Sequence, residues 1–194
     1  MVWRLRFAPD AASARQSPTY WRPKRALPAF EPGKPLAGLK ITLDPGHLGG
    51  IWAKMEERWF QIGNYTPVTE GDMTLKVAKL LVPRLTALGA EVFLTRSKPA
   101  PVTRARPSQL RAAAAESLQQ KNDPVTKESV TKESERLFYR ASEIRKRGRL
   151  VNESIKPDLA LCLHFNAEDW EDEKLGWTPF SNQRELKISY GMGE

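Results

Sequence analysis

Cysteine is nearly absent from this 194-residue chain: Cys162 stands alone, which excludes an internal disulfide and a cysteine-based zinc finger. Histidine is almost as scarce, with His47 and His164 the only two. No apolar stretch approaches the roughly 18 residues that a membrane-spanning helix requires, so no membrane span is expected. The first residues set Arg4, Arg6 and Asp10 among apolar neighbours and lack the unbroken apolar segment of a secretory signal. What the chain has in excess is positive charge. Lys and Arg number 31 against 23 Asp and Glu, a formal net charge of +8. That sign suits an anionic partner such as nucleic acid, anionic lipid or an acidic wall polymer. No nucleic-acid-binding motif is present, and the aromatics are not interleaved with the basic run, so nucleic acid is set aside. Length, 40% hydrophobic and 28% charged residues fit one ordinary globular domain.

Residues 1–37 form a proline-rich, basic arm. Pro9, Pro18, Pro23, Pro28, Pro32 and Pro35 recur too often for a helix or central strand. Its aromatics, among them Trp21 and Phe30, suggest that part of it docks on the domain. Leu39–Leu43 is the first strand, closed by the Asp44-Pro45-Gly46 turn signal. A long loop follows over 46–71, with five glycines and with Trp52, Trp59 and Tyr65, which either stack on a ligand or pack the loop down. Asp72 reads as the N-cap of a helix whose apolar stripe runs through Leu75, Ala78, Val82, Leu85 and Leu88. Pro83 should kink it or mark a break, and Gly89 suits its end. Glu91–Thr95 is the second strand, which completes a βαβ unit and predicts parallel pairing.

Arg106–Gln120 is Ala-rich and reads as helix. VTKES then occurs twice in tandem, at 125–129 and 130–134, and reads as solvated surface. A strongly basic helix runs from Ser134 to about Ser154, with Leu137, Ile144 and Val151 facing inward. The third strand, Leu159–Phe165, is almost uninterruptedly apolar, as suits a strand buried on both faces, and Cys162 reads as part of the core. The tail from Leu175 shows no clear period. The expected class is α/β, a mostly parallel sheet flanked by helices.

His47 follows the first strand and His164 ends the third. In a parallel sheet both lie at the carboxyl edge, where open α/β folds place ligand sites. Glu70 precedes the first helix and emerges at the same edge. Two imidazoles and one carboxylate are a typical ligand set for catalytic zinc with an open position. Zn2+ so held activates water and polarises a carbonyl, as amide hydrolysis requires. Any one of these residues alone is ordinarily just a satisfied polar group; Glu56 and Glu57 compete for the carboxylate role. Asp44 is a candidate hydrogen-bonding partner for a ligand histidine, or simply closes its own turn.

The segments ITLDPGHLGG (41–50), EGDMTL (70–75), GAEVFLTR (89–96) and RGRLVNESIKPDLALCLHFNAE (147–168) together resemble the catalytic domain of the zinc-dependent N-acetylmuramoyl-L-alanine amidases of bacterial cell-wall metabolism. The resemblance spans residues 38–168, in the family's order. It implies that His47, Glu70 and His164 bind zinc. It also implies that the substrate is peptidoglycan or muropeptides, cut between the muramoyl lactyl group and L-alanine, in the periplasm or outside the cell. The family also takes a glutamate from a later strand as general base or transition-state stabiliser. Beyond Ala167 the resemblance stops, and residues 169–194 read as a divergent tail of a truncated or altered domain. Glu185 and Glu194 are weak candidates for the missing glutamate. The alternative function is a non-catalytic basic module holding an anionic polymer.

Overall fold

A computed structural model of the chain describes residues 22–165 and, as backbone, 188–192. Three strands form a parallel sheet: β1 (Lys40–Pro45) lies between β4 (Glu91–Leu94) and β5 (Leu159–Leu163). Ile41 pairs with Val92 on one side and with Leu159 on the other, and Pro45 reaches Leu163. The α/β reading and the parallel pairing of all three predicted strands therefore hold. Ile41 and Leu43 are sealed against Ala78 and Ala90, with Leu81, Val82, Leu85 and Leu161 packed around them. This is the stripe of helix α1 (Glu70–Ala87) meeting the central strand.

Helix α1 begins earlier than Asp72. Thr69 is the cap, its Oγ1 accepting from the Asp72 N–H at 3.4 Å, so Glu70 is the first helical residue. The helix runs through Pro83 without a break. Lys79 and Pro83 are both exposed, so the carbonyl that proline leaves without a helical donor faces water. Gly89 ends the helix at φ +98°, and a Cβ there would lie 3.0 Å from the Ala37 backbone. The end of the arm does dock: the Leu36 N–H donates to Leu88 O, and Arg22 pairs with Asp158. The arm's first 21 residues lie outside the described residues.

Four expectations are corrected. The long loop contains a hairpin, β2 (Arg58–Ile62) and β3 (Val68–Thr69), and β2 also pairs antiparallel with β6 (Ile188–Met192) from the tail. The first VTKES copy is solvated surface, with residues 125–128 exposed, but the second lies within helix α3 (Lys127–Arg136) and is partly buried. Val130 packs there with Ala114 and Leu118 of α2 (Arg111–Lys121), and Ser134 is buried. From α3 the helical path continues through a wide π turn (Leu137–Glu143), α4 (Ile144–Arg149) and a second π turn (Leu150–Ile155). The π turn slips the phase, so Phe138 is fully buried and Ile144 is 61% exposed rather than inward. Finally, β5 is not buried on both faces. Leu159 and Cys162 are exposed, because β5 pairs on one side only among the described residues.

Candidate metal centre

The turn after β1 delivers His47 with its backbone in the left-handed region, at φ +56°. For a non-glycine residue this costs about 1–2 kcal/mol, so neighbouring groups must hold it. Two arginines do so. Arg147 donates to Pro45 O at 2.8 Å and to His47 O at 3.0 Å. Arg96 donates to Pro45 O and Gly46 O, both at 3.0 Å, and to Gly71 O at 2.6 Å. Arg96 thus ties the β1 turn to the start of α1. Burial, reinforced by the nearby Arg147 charge, draws its pKa down to about 10. Arg147 is anchored from behind by Glu143 at 2.8 Å, whose carboxylate also accepts the Val102 and Thr103 N–H groups.

The three residues singled out from sequence converge. Glu70 Oε2 lies 3.4 Å from His47 Nε2, and Glu70 Oε1 lies 3.4 Å from His164 Nδ1. The imidazoles meet edge to face, with centroids 4.9 Å apart. One ligand atom from each residue lies within 4.8 Å of the others, so the group could hold a metal ion. The two 3.4 Å contacts use different oxygens of Glu70, so the carboxylate bridges the two rings; ligands at about 2.1 Å in a tetrahedral site would be separated by about 3.4 Å. Glu70 is held in place by the Phe165 N–H, which donates to its Oε1 at 2.9 Å. The Glu70 and His47 side chains are 10% and 18% exposed and the His164 side chain is 50% exposed, so the centre opens on the His164 side. Gly46 makes this approach possible: a Cβ there would lie 2.4 Å from His164 Cε1.

The carboxylates around the centre have sorted themselves. Glu56 is not among the three ligand atoms; it accepts from His47 Nδ1 at 3.0 Å and from the Leu48 N–H at 2.6 Å. Glu57 is exposed and begins the hairpin at φ +56°. Asp44 turns to other partners: it accepts from Thr95 Oγ1 and from Arg147 at 3.3 Å. The aromatics of the segment divide too. Trp52 packs on Phe138, with Arg106 over its ring, so it fastens the segment down. Trp59 lies beneath Lys54, and Tyr65 is 74% exposed. Sequence reading missed Arg96, Glu143 and Arg147. The i,i+4 spacing of Glu143 and Arg147 was the available signal for the last two. Glu185 and Glu194 lie outside the described residues. Among the described residues no helix is long and apolar enough to cross a membrane. Comparison with protein-family models, with curated proteins and with solved structures finds no match for the chain.

Proposed function

We propose that this protein is a zinc hydrolase of the N-acetylmuramoyl-L-alanine amidase type, acting on peptidoglycan or muropeptides in the periplasm or outside the cell. The observation that carries the reading is the convergence of His47, Glu70 and His164, with one ligand atom from each within 4.8 Å of the others, at the carboxyl edge of a parallel sheet. These are the positions at which the resemblance sets the ligands. The donor set of two imidazoles and one carboxylate fits zinc rather than calcium or magnesium, which prefer oxygen ligands. When bound, zinc supplies Lewis acidity, which makes water nucleophilic near neutral pH and polarises an amide carbonyl.

The chain's own residues supply the frame. His47 and His164 come from the ends of adjacent strands, and Glu70 joins them from the first residue of α1. The exposed side of His164 leaves room for a substrate. Moving a proton to the leaving nitrogen needs a further acid or base, worth about 10²–10⁴-fold. Glu185 and Glu194 remain the weak candidates. The described part of the tail, β6, pairs with β2 and does not extend the parallel sheet. The basic-module alternative draws less support, because Arg136 and Arg147 of its helix are engaged with Glu133 and Glu143.

Metal analysis and muropeptide digestion test the reading. One zinc per chain, lost in His47→Ala, supports it; no zinc bound at micromolar concentration overturns it. Zinc-dependent release of stem peptides would demonstrate the proposed hydrolysis itself. Glu185→Gln and Glu194→Gln would then identify the group responsible.

A further inference from the structure

We infer that Glu56 is the positioning residue of the metal centre, fixing which nitrogen of His47 faces the ligand site. The inference rests on the zinc reading for its consequence, but not for its geometry. Glu56 uses both oxygens, one on His47 Nδ1 at 3.0 Å and the other on the Leu48 N–H at 2.6 Å. Its side chain is 11% exposed, so water competes weakly for either bond. An ionised carboxylate is acceptor-only, and it holds the proton of a neutral imidazole on Nδ1. Nε2, the nitrogen 3.4 Å from Glu70, then carries the lone pair. Ligand histidines usually donate their second N–H to a carboxylate or carbonyl, and losing that partner typically weakens metal binding about 10–100-fold.

The second bond adds a structural consequence. Through Leu48 N, the same carboxylate closes a loop from His47 to the turn before β2. The segment carrying Trp52 is therefore latched to the histidine ring. Glutamine at position 56 can accept only one of the two N–H groups, because its amide nitrogen would face the other donor. Alanine accepts neither.

Two readouts test the inference on the full chain. In metal-free protein at a pH where the ring is neutral, ¹⁵N NMR of His47 should show the proton on Nδ1. In Glu56→Ala it should shift toward the Nε2–H form that dominates in free imidazole side chains. Zinc titration against a chromophoric chelator should give affinity weakened about 10–100-fold in Glu56→Ala and by an intermediate factor in Glu56→Gln. An unchanged His47 tautomer in Glu56→Ala would overturn the inference. So would zinc affinity within twofold of the parent in both variants. If the parent chain binds no zinc, the zinc reading fails, and the tautomer measurement still decides the role of Glu56.

Discussion

Replacing Arg147 with methionine tests the clamp behind the candidate metal centre. The Arg147 and Glu143 side chains are 8% and 3% exposed, so the substitution leaves a carboxylate buried without its counter-charge. Breaking a buried pair by removing one partner ordinarily costs about 3–5 kcal/mol. Here Glu143 keeps the Val102 and Thr103 N–H groups, which places the cost at the lower end, about 3 kcal/mol. His47 also loses a bond that restrains its left-handed backbone, and any relaxation there would offset part of the loss, by at most about 1–2 kcal/mol. At about 2–4 °C per kcal/mol for a chain of this size, the melting temperature should fall by about 6–12 °C. Urea unfolding of metal-free protein measures the loss directly. The double variant Arg147→Met with Glu143→Gln removes both charges and keeps an acceptor for the loop. It should recover a coupling of about 1–3 kcal/mol relative to the sum of the single changes. A single-variant loss below about 1 kcal/mol, or strict additivity in the cycle, would refute the reasoning.

Gly46→Ala should push the His164 ring out of place, because the new methyl group would sit 2.4 Å from Cε1 and 2.6 Å from Leu163 O. Stability should fall by about 1–3 kcal/mol, and chelator competition should show weaker zinc binding. By contrast, a Cβ at Gly148 in α4 meets nothing within 4 Å, so Gly148→Ala should stabilise by about 0.5–1 kcal/mol in thermal unfolding. Glu133 predicts the acid behaviour of the helical layer. Arg136 foremost, with Ser117 and Lys121, holds its carboxyl down at about 2. A depressed carboxyl adds stability above its ordinary value near 4.5, and this is lost as pH falls from there through about 2. Arg136 and Lys121 are 41% and 46% exposed, so solvent screening leaves a contribution of about 1 kcal/mol. Glu133→Gln should remove that part of the acid dependence in melts between pH 5 and pH 2, set as about the span of the two values.

The parallel sheet was legible because each strand is a short apolar run beside an explicit stop: Asp44-Pro45-Gly46, Gly89 and Pro157-Asp158. The convergence of His47, Glu70 and His164 followed from the sheet, since two strand ends and one helix start share the same edge. The hairpin was hidden by its setting. Arg58–Ile62 is a five-residue strand inside a glycine-rich segment, and its second partner, β6, lies 126 residues along the chain (188 − 62). The fate of the carboxylates was not legible at all. Asp44, Glu56 and Glu57 are alike in one dimension, and only the turn at His47 decides which meets the ring. Helical periodicity failed at Ile144 because it assumes one constant pitch, and the π turn breaks that assumption.

That π turn makes the chain's helical arm a phase-coded device. Upstream, α2 and α3 fix their rotation through Ala114, Leu118 and Val130. Downstream, Glu143 and Arg147 must face the β1 turn. Each helical residue turns the following ones by about 100°. Deleting one residue between Leu137 and Glu143 would restore an ordinary helical pitch and leave every local hydrogen bond available. It would also swing the arginine clamp about a quarter-turn away from His47. The extra residue there acts as a gear tooth: its worth lies in the angle it sets rather than in any contact it makes.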